Sequence, residues 1–180
     1  MVKRYKILVF GPKYSGKTQL ISCLRDTLKL NYYKNALKIY NETTIMYKNN
    51  MFLFIEINDI LPKLSIKYFD LCLIVVNNYD LSNPTRIITI FKISKNIFIP
   101  KILIITKCEL MMNDYINKKK LSNKKKIMIN NYLCKEYFNM FDEILHVAFA
   151  MTERKELKEV YKEIRRQSSI KIWNAISDNI

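Results

Sequence analysis

The stretch Phe10-Gly-Pro-Lys-Tyr-Ser-Gly-Lys-Thr-Gln-Leu20 decides how this chain is read. It follows Tyr5–Phe10 (YKILVF), an apolar, β-rich run that predicts a buried strand. After it, Leu20, Ile21, Leu24 and Leu28 recur at helical spacing, which predicts an amphipathic helix from Lys17 to about Leu30. Gly11 and Gly16 are the only two glycines in 180 residues, and both fall in this one loop. The pattern Gly-x-x-x-x-Gly-Lys-Thr between a strand and a helix is a phosphate-binding loop. Glycine lets the backbone curl with its N–H groups turned inward towards anionic oxygens, and the helix start adds its positive dipole end. Gly11, Lys13, Tyr14, Ser15, Gly16, Lys17 and Thr18 are therefore the candidate phosphate-binding set. Lys17 is placed to bridge the outer phosphates of a nucleotide and Thr18 to ligate Mg²⁺.

Composition bounds the partners. Thirty-one Lys and Arg stand against 16 Asp and Glu, a net charge of +15. That balance favours anionic partners such as nucleic acid, a ribosome or acidic membrane. An AT-rich coding composition, which inflates Lys, Asn, Ile and Tyr, accounts for the same excess equally well. Cys23, Cys72, Cys108 and Cys134 lie far apart with no C-x-x-C pair, and the chain has a single His, so neither a zinc site nor a disulfide framework is expected. The N-terminus is too short in its apolar part for a signal peptide, and no apolar run reaches membrane-spanning length. Val2 and the terminal Ser-Asp-Asn-Ile carry no lipidation signal. The expectation is a cytoplasmic chain, peripheral at most on a membrane or ribosome.

Further along, Asn31 to Asn41 is polar and reads as loop or short helix. Thr44–Tyr47 and Met51–Ile57 flank Lys48-Asn49-Asn50, a hairpin signal. Leu71–Val76 (LCLIVV) and Ile102–Thr106 (ILIIT) read as buried strands, and Asn83-Pro84 opens a helix to about Ser94. A lysine-dense segment from Asn117 runs into a helix ending near Phe141. Ile144–Phe149 makes a sixth strand, and a last helix starts near Thr152 with Leu157, Val160, Tyr161 and Ile164 on one face. Apolar strands separated by helices predict an α/β fold, a six-stranded, mostly parallel sheet with one antiparallel hairpin strand and helices on both faces.

From Tyr5 to about Arg166 this order resembles a Ras-like small GTPase of the P-loop NTPase superfamily. Thr106-Lys-Cys-Glu109, at the end of a predicted strand, is similar to that family's base-reading motif Asn-Lys-x-Asp. The resemblance implies that Glu109 accepts hydrogen bonds from guanine, that Lys107 lies over the base, and that Thr106 stands in place of Asn. Ala150, in Phe149-Ala-Met151, matches the alanine whose backbone N–H meets the guanine oxygen. The implied cofactors are GTP or GDP with Mg²⁺. The implied domains are a G domain over residues 1–167 and an amphipathic extension over 168–180.

The same resemblance places the switch elements and shows departures. Thr43 and Thr44 are candidates to close over Mg²⁺, or they are ordinary strand threonines. In the run Phe54-Ile-Glu-Ile-Asn-Asp59 the acid that holds the metal is Asp59, with Glu56 the alternative in a shifted register. Counting from Asp59, Pro62 stands where the family has a glycine N–H against the γ-phosphate, and proline has none. Lys63 stands where a glutamine orients the hydrolytic water, and a lysine cannot accept a hydrogen bond from it. Lys13 adds bulk and charge in the loop. No residue is therefore assigned a catalytic role, and GTP hydrolysis is expected to be slow or absent. Three readings remain: a guanine-nucleotide switch with a protein effector, a structural pseudo-GTPase subunit of a ribosome, targeting receptor or coat, and a small P-loop kinase or ATPase.

Lys118–Lys126 packs six lysines into nine positions. It reads as a docking patch for rRNA or acidic lipid, or as a solvated face. Ile170, Ile172, Trp173, Ile176 and Ile180 give the C-terminal stretch an apolar side, for packing back on the domain or for a partner or membrane surface.

Overall fold

The computed structural model describes residues 2–36, 40–57, 66–77, 84–107, 139–149 and 157–180. Within them the chain forms strand β1 (Arg4–Phe10), helix α1 (Lys17–Asp26), β2 (Tyr32–Ala36), β3 (Asn41–Tyr47), β4 (Asn50–Ile57), a 3₁₀ turn (Ile66–Tyr68), β5 (Leu71–Asn77), α2 (Pro84–Lys95), β6 (Lys101–Thr106), β7 (Glu143–His146) and α3 (Lys158–Asp178). One sheet of seven strands carries them in the order β2-β3-β4-β1-β5-β6-β7. β1 pairs in parallel with β4 and β5, β5 with β6, and β6 with β7. β3 is antiparallel to both β2 and β4, so it alone runs against the rest.

The expected count of six strands is corrected to seven. The extra strand is β2, in the stretch read as loop or short helix. Its sequence YYKNA is polar because it sits at the sheet edge, with exposed Tyr32 and Tyr33 and one neighbour, β3. Edge strands need no apolar run, so hydrophobic pattern does not reveal them. α1 is also shorter than expected. Lys29 takes a left-handed φ of 50° and the Leu30 N–H returns to the Arg25 carbonyl at 2.9 Å, which ends the helix before Leu28. The hairpin turn contracts to Lys48-Asn49, with φ of 47° and 64°, the mirror-image turn that matches strand twist.

Alternation along the central strands divides the core between the two faces. Ile7 and Val9 of β1, with Leu71, Leu73 and Val75 of β5, pack against α1 and α3. Leu8 and Phe10, with Cys72, Ile74 and Val76, pack against Ile90 and Phe91 of α2. All seven residues of β5 are buried, as a central parallel strand requires.

No break separates residue 167 from 168, because α3 runs through both. Its C-terminal half is part of the core. Trp173 is fully buried, stacks on Tyr47 at 4.3 Å and meets Phe52 and Phe54 edge-on, while its indole N–H donates to the Leu24 carbonyl at 3.3 Å. Ser169 Oγ lies 3.2 Å from the Cys23 carbonyl and ties the same helix to α1. The helix expected before Phe141 and the lysine run at Lys118–Lys126 lie outside the described residues.

Candidate functional site

Parallel β1, β4, β5 and β6 all end on the same side of the sheet, and the loop after β1 sits there. Gly11 has φ 154°, and a Cβ on it would lie 2.0 Å from the Val75 carbonyl oxygen of β5. Only glycine lets the chain turn this close to the neighbouring strand. Gly16, with φ 100°, is the N-cap of α1 and gives the helix no side-chain cap, and no acid occupies the first turn. The first amide groups of α1 therefore meet no side-chain acceptor of the helix itself, and their positive end faces the loop. Tyr14 holds φ 67°, a left-handed conformation that is uncommon for an aromatic residue, and its ring is exposed.

Lys17 is buried, at 3% exposure, and its ammonium donates to the carbonyls of Gly11 at 2.8 Å and Pro12 at 2.6 Å. The cation is thus pinned across the loop it belongs to, which offsets the cost of burying it. A cleft of about 410 Å³ opens beside it, lined by Lys13, Tyr14, Lys17, Thr18, Glu56 and Lys107 among others. Three ammonium groups against one carboxylate give the cleft a positive balance that suits an anion.

The Thr18 hydroxyl lies 2.7 and 2.9 Å from the two carboxylate oxygens of Glu56. β4 delivers that carboxylate. It pairs with β1 in a register that sets Glu56 beside Val9, at the end of the strand that feeds the loop. A hydroxyl and a carboxylate are hard oxygen donors and suit Mg²⁺. Among the described residues no group of three or more His, Cys, Asp or Glu side chains could hold a metal by itself. The residues therefore fit a phosphate-bound Mg²⁺, with Thr18 and Glu56 as the protein's donors. When bound, such an ion neutralises charge between phosphate groups.

β6 supplies the next wall. Thr106 is buried, and its hydroxyl donates to the Ser15 carbonyl at 2.5 Å and lies 3.3 Å from the Val76 carbonyl. It also packs under Gly16, where a Cβ would come within 3.2 Å of the Thr106 hydroxyl. Thr106 thus clamps the phosphate loop to the end of β6. Lys107 follows with a left-handed φ of 59° and lines the cleft. From α1, the Gln19 amide donates to the Phe149 carbonyl at 2.9 Å and ties the helix to the segment after β7.

Of the residues singled out in the sequence, the structure gathers Gly11, Lys13, Tyr14, Ser15, Gly16, Lys17, Thr18, Thr106 and Lys107 at one end of the sheet. Glu56, the alternative acid, joins them. Thr43 and Thr44 belong to β3, opposite Phe54 and Leu53 of β4, and neither lines the cleft. Asp59, Glu109 and Ala150, together with Pro62 and Lys63, lie outside the described residues. Two ties escaped the sequence reading. Gln19 carries no motif signal, and the Thr106–Ser15 hydrogen bond requires knowing that β6 ends beside the loop.

The architecture is similar to that of several solved GTP-binding proteins. Bacterial selenocysteine-specific elongation factor EF-Sec matches with a TM-score of 0.58 at 17% identity, over 99% of this chain and 29% of that one. The small COPII coat GTPase SAR1 from Encephalitozoon cuniculi, solved with GDP, gives 0.54 at 12% identity, over 100% and 85%. Era, solved with MgGDPNP and a fragment of 16S ribosomal RNA, gives 0.52 at 16% identity, over 91% and 57%. The chain thus spans less than a third of EF-Sec and under two thirds of Era but most of SAR1. At these identities the likeness establishes the fold. No protein-family model matches the chain, and no curated protein matches it.

Proposed function

We propose that the chain is a small guanine-nucleotide-binding protein that holds GTP or GDP with Mg²⁺ and hydrolyses GTP slowly or not at all. The observation that carries this reading is the Thr18–Glu56 pair facing the same cleft as Lys17, an arrangement that suits a metal ligand beside a phosphate ligand. Guanine selectivity rests in this reading on Glu109, two residues along the sequence from Lys107, which lines the cleft.

Glu56 also resets the second switch. In the register it defines, the third residue on is Asp59 and the fourth is Ile60. Asp59 keeps a backbone N–H for the γ-phosphate, so the proline at position 62 no longer implies a lost contact. Ile60 has no group that can orient a water molecule. Either register lacks the glutamine, so weak hydrolysis follows from both. The same lack supports a second reading, a structural pseudo-GTPase that retains its nucleotide as part of an assembly. A kinase or ATPase reading finds less support, because the solved structures this fold resembles include a GTP-binding protein with GDP and Era with MgGDPNP.

The test is nucleotide content. Protein purified in Mg²⁺ is denatured, the released nucleotide is identified by chromatography, and GTP, GDP and ATP are titrated onto stripped protein. Guanine nucleotide with unequal GTP and GDP affinities supports a switch. Retained GTP with equal affinities supports the pseudo-GTPase. Adenine nucleotide overturns the base assignment, and no binding overturns the proposal.

A further inference from the structure

The opposite end of the sheet carries a second surface. Here β1, β4, β5 and β6 begin, preceded by Lys3, the Lys48-Asn49 turn, the 3₁₀ turn Ile66–Tyr68 and the segment 96–100. Phe98 is 93% exposed in that last segment, and Tyr68 is 66% exposed in the 3₁₀ turn. β5 and β6 are paired neighbours, with Cys72 opposite Lys101, so both rings project from the same end of the sheet.

Phe98 is held out by a braced loop. Ile97 before it is buried at 1% exposure, the Asn96 and Ile97 N–H groups return to the carbonyls of Ile93 and Ser94 at 3.1 Å, and the Pro100 carbonyl accepts from Cys72 at 2.9 Å. A single exposed apolar side chain is ordinary on a protein surface, so it is the pairing of Phe98 with Tyr68 at one end of the sheet that sets this surface apart. Around it lie cations. Lys3, Arg4 and Lys48 are exposed at this end, and Lys67 stands over the Tyr68 ring at 5.4 Å. The two acids at this end, Asp70 and Asp142, are exposed, but each has one carboxylate oxygen tied to the backbone. Asp70 accepts from the Lys6 backbone N–H and Asp142 from the Lys101 backbone N–H, each at 2.6 Å.

We propose that this end of the sheet docks on an anionic bilayer surface, with Phe98 and Tyr68 entering the headgroup region and Lys3, Arg4, Lys48 and Lys67 facing lipid phosphates. Protruding rings flanked by lysines match a bilayer interface, where aromatic and basic side chains act together. Single-stranded nucleic acid instead needs aromatic rings laid along a groove, and both faces of this sheet are covered by helices. The surface is distinct from the phosphate cleft, so its failure leaves the nucleotide proposal standing.

The test is flotation of the full chain with vesicles of phosphatidylcholine alone or mixed with phosphatidylserine. Binding is expected to the mixed vesicles, weakening with salt. Phe98→Ala should lower partitioning about tenfold, the scale set by burying one phenyl side chain. The doubly substituted Lys3→Glu, Arg4→Glu protein should lower it at least as far. Both variants should keep the parent's Tm, because the altered side chains are exposed. Absence of vesicle binding overturns the proposal. So does binding that these variants leave unchanged but that charge reversal at Lys124 and Lys125 abolishes, and so does loss of affinity for single-stranded RNA in Phe98→Ala without any vesicle binding by the parent.

Discussion

Gly11 meets the Val75 carbonyl so closely that any side chain must displace one strand from the other. Gly11→Ala is expected to cost about 2 kcal/mol or more in stability and to abolish nucleotide binding, read by thermal melting and titration. Thr106 offers a finer test. Thr106→Val keeps the volume but removes the donor to Ser15, leaving a buried carbonyl without it. It should weaken nucleotide affinity at least about tenfold, on the scale of a lost buried hydrogen bond, while Thr106→Asn, which restores a donor, should recover it. Unchanged affinity in the valine variant would show that the clamp is idle. Cys72 is fully buried, and burial pushes its thiol up to about 12. Iodoacetamide at pH 8 should therefore leave the Cys72 peptide unmodified in native protein and label it on unfolding, as mass spectrometry would show. At this scale the phosphate loop was legible because its spacing is rigid and the composition is otherwise nearly without glycine. The acid was legible only as two alternatives, Asp59 and Glu56. Asp59 lies outside the described residues, and the hydrogen bonds between Thr18 and Glu56 place Glu56 beside the loop.

At the scale of elements, the apolar strands β1, β5 and β6 were readable because central parallel strands are buried on both faces. β2 was not, since an edge strand carries no such signature. The last helix was readable as an element, with α3 described from Lys158 and the expected start near Thr152 outside the described residues, and packing on the domain was one of the readings its apolar side left open. A pattern of Ile172, Trp173 and Ile176 marks an apolar face without saying what covers it, and the answer is a core of Tyr47, Phe52, Phe54 and α1. This makes α3 a structural element rather than an appendage. Trp173→Ala removes the largest buried side chain along with its hydrogen bond to Leu24, and should cost about 3–5 kcal/mol by denaturant melt. Truncation after Gln167 removes Ser169 and Trp173 together and should leave no cooperative unfolding transition. A truncated chain that melts like the parent would restore the view of 168–180 as a separate extension.

On the scale of the whole molecule, charge and ligand are coupled. A chain of net charge +15 repels itself, so any polyanion stabilises it to some extent. The cleft adds a specific contribution. A ligand at a hundred times its Kd stabilises the native state by about 2.7 kcal/mol, which for a domain of this size raises Tm by roughly 5–10 °C. GDP or GTP with Mg²⁺ should produce that shift, and added salt should reduce it less than it reduces the effect of sulfate, because Lys17 is buried and weakly screened. Thr18→Ala should remove the Mg²⁺-dependent part and leave the sulfate effect in place, separating the Thr18–Glu56 pair from the diffuse field. Three outcomes decide between explanations. Equal shifts with ATP and GTP would refute guanine reading at Glu109. Equal shifts with pyrophosphate and GDP would reduce the site to its phosphate loop. A shift that sulfate reproduces in full, and that Thr18→Ala leaves intact, would assign the whole effect to net charge and leave the cleft without a ligand.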